Sequence, residues 1–200
     1  MSDAPVVKPQ INASAAKRAN STLIGMLLAT LVSLAVALPM VLMSAHPEGQ
    51  NLLPKVDASA AAAQVKDVAG FTALAPALPA GWSVNYARWT PAGPDGVAYW
   101  EIGYTSANSN FLMLTQTSQS NPTWLAAHAD QAAVTGSRTV SGVPWVLRDK
   151  PGTSSSLSSE VKGTTVLLRA EVPNGSKSSA DFTDLDALAQ AVTAAGQAQK

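Results

Sequence analysis

VAYWEIGYTSANSNFLMLTQT, residues Val97–Thr117, is the stretch that decides how the water-soluble part of this chain folds. Ala98, Trp100, Ile102 and Tyr104 alternate with Val97, Tyr99, Glu101 and Gly103. A period of two marks a strand with one buried side. Ser106 to Asn110 is a polar turn, and Phe111 to Thr117 runs back, so the stretch reads as a β-hairpin. A lone hairpin is barely stable in water, so further strands and a helical layer are expected to cover its apolar side.

Working towards the N-terminus, Pro91 to Gly96 is a turn and Trp82 to Thr90 a strand, reached through the Pro-rich ALAPALPAGW, residues 73–82. Before that, Asp57 to Ala69 predicts a helix. Asp57 is placed to cap it, its alanines favour it, Ala61, Val65 and Val68 give it an apolar side, and Gly70 ends it. Towards the C-terminus, Asn121-Pro122 opens a short helix with Trp124, Leu125 and His128 near one face. Ser137–Val140 and Val143–Arg148 read as a second hairpin, and Pro144 implies that its second strand begins at an edge or a bulge. Asp149 to Ser154 reads as a loop, and Ser155–Val161 with Thr164–Val172 as a third hairpin. The serine run Ser154–Ser159 reads as a flexible lead into that hairpin. A last helix starts where Thr183 and Asp186 stand at capping-box spacing. Leu185, Leu188, Ala189 and Val192 share its apolar face, and Gly196 is the expected stop. The expectation is an α+β domain over residues 57–196, with an antiparallel sheet of about seven strands and three helices packed on it. Its tryptophans are expected to fill the core, Trp100 between sheet and helix and Trp124 between helix and sheet, with Trp89 exposed.

Outside this domain the decisive feature is LIGMLLATLVSLAVALPMVLM, Leu23–Met43, which carries no charge. As a helix it would be roughly 31 Å long, close to the hydrocarbon thickness of a bilayer. Residues 21–43 therefore read as a single transmembrane helix, 1–20 as a disordered arm and 44–56 as a tether. Lys8, Lys17 and Arg18 precede the apolar run, and no positive excess follows it. This asymmetry places the N-terminus in the cytoplasm and the C-terminal domain outside the plasma membrane. Ala35-Val36-Ala37 has the small-x-small form of a cleavage site, but the run stays apolar through Met43, which favours a retained signal-anchor over a product cut after Ala37. Gly25, Ala29, Ser33 and Ala37 recur every fourth residue and form a stripe on which two such helices could pack as a homodimer.

Chemistry is scarce. The chain has no cysteine, and this excludes disulfides and thiolate catalysis. Formal net charge is zero without a basic cluster, an argument against nucleic acid. No phosphate loop, dinucleotide fingerprint, zinc motif, nucleophile elbow or calcium loop is present, so no catalytic residue, cofactor or metal is expected. His46 and His128 are isolated from each other. Asp181, Asp184 and Asp186 sit where a helix dipole favours acids, which explains them better than metal binding. Serines 154–159 have no base tied to them by spacing.

The ordered set of features resembles an actinobacterial single-pass membrane family known as domain of unknown function 4245. It comprises the basic arm, the single anchor, the Ala-rich helix, LAPALPAGW, YWEIGYTS followed by FLMLTQTS, GVPW, the third hairpin and DFTDLDALAQAV. The resemblance spans most of residues 15–195 and implies a membrane protein of high-GC Gram-positive bacteria. It implies no activity and no site residues. The functional expectations are, first, a non-catalytic module that binds an envelope or membrane protein; second, a binder of a small apolar ligand or lipid; third, an enzyme without a recognisable motif.

Overall fold

The computed structural model describes residues 13–44, 56–172, 180 and 182–199, and within the first helix the side chains of residues 24–39. The chain divides into two units, Met1–Leu52 and Leu53–Lys200. The first contains helix α1 (Ala13–Ser44), whose side chains at 24–39 are exposed throughout. Among the described residues no helix is long and apolar enough to cross a membrane. The expected membrane run reaches beyond the described side chains at both ends. The part of the expected arm before Ala13, most of the expected tether with His46, and Asp181 also lie outside the described residues.

The second unit follows the order α2 (Ala58–Ala69), β1 (Ser83–Thr90), β2 (Tyr99–Thr105), β3 (Phe111–Thr117), α3 (Pro122–His128), β4 (Val134–Val140), β5 (Val143–Lys150), β6 (Ser154–Val161), β7 (Thr164–Glu171) and α4 (Phe182–Ala198). α2 starts because Asp57 Oδ1 accepts from the N–H groups of Ser59 and Ala60, both at 3.0 Å, and from the Ser59 hydroxyl at 2.6 Å. The Ser59 hydroxyl, followed by the Ala60 N–H, holds this carboxyl below the usual carboxylate range. α2 ends where Gly70 turns left-handed, at φ 71°. α3 starts in the same way, with Trp124 N–H donating to Asn121 Oδ1 at 2.8 Å and Pro in its first turn.

The strands form one antiparallel sheet in the order β1-β2-β3-β7-β6-β5-β4. Two meanders, β1-β2-β3 and β4-β5-β6-β7, are sewn together by β3 and β7, with Leu114 opposite Leu168. Trp100, Ile102 and Tyr104 lie on the face that α2 and α4 cover, in one core with Leu74, Trp145, Leu157, Leu185 and Leu188. Trp100 and Gln116 are direct cross-strand partners and together clamp the segment after α2. Leu74 N–H donates to Gln116 Oε1 at 2.8 Å, Gln116 Nε2 donates to the Thr72 carbonyl at 3.2 Å, and Trp100 Nε1 donates to the Leu74 carbonyl at 2.9 Å. These side chains supply the partners that a strand would have supplied, so Ala73 and Leu74 are buried without regular structure.

The three helices pack on the sheet as expected, with α2 and α4 on one face and α3 on the other. α3 crosses the opposite face, because β3 lies mid-sheet and β4 at the far edge. Several other expectations need correction. Thr183 lies within α4, one residue after its start at Phe182, and Asp186 pairs with Arg138 of β4. Asp184 is buried and accepts from Asn110 Nδ2 at 2.8 Å and Asn108 Nδ2 at 3.4 Å, tying α4 to the β2–β3 turn. Gly196 does not stop α4. It is buried within the helix, where an added Cβ would lie 2.6 Å from Val161 Cγ1. Pro144, by contrast, stands as expected, where its strand begins at an edge. It lies where β5 pairs with β4 alone, before the β5–β6 ladder begins at Val146. Ser154–Ser159 is not a flexible lead but most of β6, with Ser154, Ser155, Ser156 and Ser158 buried. Trp89 is half-buried, edge-on to Phe71 at 5.9 Å.

Candidate functional site

Two surfaces of the α+β unit stand out. The larger is a groove of about 670 Å³ between α2 and α4, floored by the segment after α2. Nine of its lining residues are alanines, among them Ala62 and Ala63 on one side, Ala73 on the floor, and Ala191, Ala194 and Ala195 on the other side. Its polar lining is Ser59, Lys66, Thr72 and Gln199, so Lys66 brings the one charge. Alanine faces arise because both helices need strong helix formers yet pack their larger residues, Val65, Leu185, Leu188 and Val192, down onto the sheet. The groove is open to solvent and presents mainly methyl groups.

The second surface is the sheet face opposite α2 and α4. Its outer meander carries Tyr86, Arg88 and Glu101. Glu101 is buried, and its cross-strand partner Arg88 reaches it at 2.6 Å. Tyr86 lies across Gly103, whose missing Cβ leaves room for the ring. Burial, and then the Glu101 charge, push the Tyr86 phenol well above its ordinary range. α3 rests beside this group, with Trp124 fully buried and the His128 ring 4.7 Å from Tyr99 and 4.6 Å from Trp124. Burial holds the His128 imidazole below its ordinary value. After α3 the chain turns through two left-handed residues, Asp130 and Gln131, at φ 54° and 58°. That turn aims Asp130 at the other meander. It meets Arg169 at 3.1 Å, its Oδ2 accepts from the Ser154 hydroxyl at 2.7 Å, and its carbonyl accepts from Lys150 Nζ at 3.0 Å.

The model of a family described as a protein of unknown function (DUF4245) matches residues 18–192. The chain belongs to the DUF4245 family. No curated protein and no solved structure matches it.

In this DUF4245 chain, Gly25, Ala29, Ser33 and Ala37 lie at four-residue spacing on α1 and are all exposed. His128 meets aromatic rings rather than a nucleophile. Asp184 and Asp186 are occupied by Asn108, Asn110 and Arg138. Among the described residues no group of three or more His, Asp or Glu is placed to hold a metal ion. Trp100, Trp124 and Trp145 are fully buried and none lines the groove. Sequence reasoning missed the alanine groove, because alanine in a helix looks like propensity and not like a surface. It also missed Arg148 and Arg169, which are separated in sequence and meet only through strand register.

Proposed function

We propose that this protein is a single-pass, membrane-anchored, extracytoplasmic interaction module without catalytic activity. Its N-terminus is cytoplasmic and its α+β unit faces the cell envelope. The observation that carries this reading is the open, alanine-lined groove between α2 and α4. Two flanking helices with small side chains let a third helix approach closely and bury methyl groups on both sides. The occupant we assign is an apolar face of a helix from another envelope or membrane protein, with an acidic residue set against Lys66. The anchor reading is supported by the uncharged run Leu23–Met43 and by the exposure of apolar side chains all round α1 at residues 24–39. Lipid then surrounds α1, and the stripe Gly25, Ala29, Ser33 and Ala37 supports self-association of two anchors.

A photo-crosslinking residue placed at Ala63 or Ala194 in living cells tests the groove, with Thr139 and Glu160 as sites outside it. The expected result is one adduct from the two groove positions, absent at the other two. A second change, Ala195→Glu or Lys66→Glu, should abolish it. Adducts of equal yield at all four positions, or none, would overturn the assignment. Lipid recovered from the purified groove would move the reading to a binder of an apolar ligand. For topology, a phosphatase fused after residue 56 is expected to be active; an inactive fusion would reverse the orientation.

A further inference from the structure

On the sheet face opposite the groove, Arg148 of β5, Ser156 of β6 and Arg169 of β7 are consecutive cross-strand partners. They therefore form one row in which Ser156 lies between the two arginines in register. With strands roughly 4.8 Å apart, the two arginine Cα atoms are roughly 10 Å apart, a span that two long side chains can close around one small ion. The row is not internally satisfied. Ser156 is 1% exposed, and neither its Oγ nor the Nε of Arg169 has a hydrogen-bond partner. Arg169 pairs through Nη1 with Asp130 and through Nη2 with Glu171, and this leaves Nε over as a donor. Arg148 donates from Nη1 to Ser158 Oγ at 2.7 Å, and no carboxylate pairs with it among the described residues. Burial lowers the pKa of Arg148, the mark of a guanidinium in a partly dry place without a counter-charge. Lys150 lies one row further along, paired across from Ser154, whose partner on β7 is Glu171.

Two unpaired donors and an uncompensated guanidinium in one row call for an acceptor with several oxygens and a negative charge. We propose that Arg148, Ser156 and Arg169 form a binding site for a phosphate-type oxyanion. Arg148 holds it through the guanidinium edge not used by Ser158, Arg169 donates from Nε, and the Ser156 hydroxyl donates from beneath. Asp130 and Glu171 keep Arg169 oriented without neutralising Arg148. The shared chemistry is that of a free phosphate and of the phosphodiester of a lipid headgroup, and the two are separable by experiment. This site is independent of the groove, and either can fail alone.

The test uses the full chain in a non-ionic detergent, with inorganic phosphate as the first probe and glycerophosphoglycerol, a soluble headgroup diester, as the second. Chloride at equal ionic strength is the control. The expected result is a saturable rise in melting temperature with phosphate but not with chloride. The NMR signal of the Arg169 Nε–H should shift over the same concentration range. Arg148→Gln should weaken binding at least tenfold and Ser156→Ala several-fold, while Lys162→Gln, at the β6–β7 turn, should leave it unchanged. Tighter binding of the diester identifies a lipid headgroup, and tighter binding of inorganic phosphate a free ion. If Arg148→Gln fails to fold, the Arg169 signal of the unmodified chain decides. A response that follows ionic strength alone, an unmoved Arg169 Nε–H signal, or unchanged affinity in a folded Arg148→Gln chain would overturn the site.

Discussion

Replacing Trp100 by Ala tests the core and the clamp over it together. The ring is fully buried between the sheet and the layer formed by α2 and α4. Truncation of a buried Trp costs about 3–5 kcal/mol through lost transfer energy and the cavity left behind. Here it also removes the Nε1 donor of the Leu74 carbonyl, and Leu74 is 1% exposed. An orphaned buried carbonyl adds about 1–3 kcal/mol. The expected loss is about 4–8 kcal/mol, set against about 5–15 kcal/mol for a whole domain. Trp100→Phe separates the two parts, because it keeps most of the ring and loses the donor; it should cost nearer the carbonyl share. All five tryptophans, Trp82, Trp89, Trp100, Trp124 and Trp145, belong to the α+β unit. Urea unfolding of the full chain followed by fluorescence therefore reports on that unit alone. An unchanged midpoint in Trp100→Ala, with Trp100 of the parent chain readily quenched by acrylamide, would refute the reasoning.

Three further outcomes follow from single contacts. Gly103→Ala puts a methyl 2.3 Å from Tyr86 Cε1 and should cost about 1–3 kcal/mol by overpacking; a Tyr86→Ala background should remove most of that cost in a double-mutant cycle. Gly196→Ala gains about 0.5–1 kcal/mol in helix propensity but meets Val161, so urea midpoints should fall in the parent chain and rise in a Val161→Ala background. Burial depresses the folded pKa of His128 below its ordinary 6.5, with Glu101 and Asp95 opposing the shift and Arg169 adding to it. The unfolded chain then binds the proton more readily, so this stabilisation is complete above about pH 6.5 and is lost as pH falls through the folded pKa. Urea midpoints between pH 8 and pH 5 should show that step, and His128→Phe should flatten it.

The parts of this fold legible in the sequence are those with a local cause. Strict alternation marked β2, and side-chain caps at Asp57 and Asn121 marked two helix starts. What was not legible depends on partners distant in the chain. Nothing near Phe111–Thr117 says that its second neighbour is β7, fifty residues on. That pairing sets the strand order and sends α3 across the other face. Gly196 looks like a stop until Val161 is placed against it, where the glycine is needed for close approach rather than for termination. Ser154–Ser159 has the composition of a loop. It is a strand because it pairs on both sides, with β5 and with β7. The groove was hidden for a related reason, since an alanine at a helix surface carries no signal of what lies beyond it.

The chemistry of the groove also sets how it can work. Each buried methyl group contributes about 0.8 kcal/mol, and several of the nine alanines are already part-covered by their own helices. A partner helix laid in the groove therefore gains only a few kcal/mol before it loses rigid-body freedom and orders its side chains. An affinity in the region of about 1 mM, corresponding to about 4 kcal/mol, is what such a surface supports between free molecules. That is too weak to select a partner from solution. It suffices when both are tethered in one membrane, where an effective concentration of about millimolar replaces the bulk one. On the proposed anchoring, residues 56–199 alone are expected to bind the proposed partner weakly by calorimetry, while the full chain co-purifies with it from detergent-solubilised membranes after crosslinking. Grafting an unrelated single-pass anchor in place of residues 13–44 should restore the crosslink if tethering is the whole contribution. Failure of the graft to restore it would show that α1 itself makes specific contacts. Nanomolar binding by the released unit would show that the groove is not the surface that holds the partner.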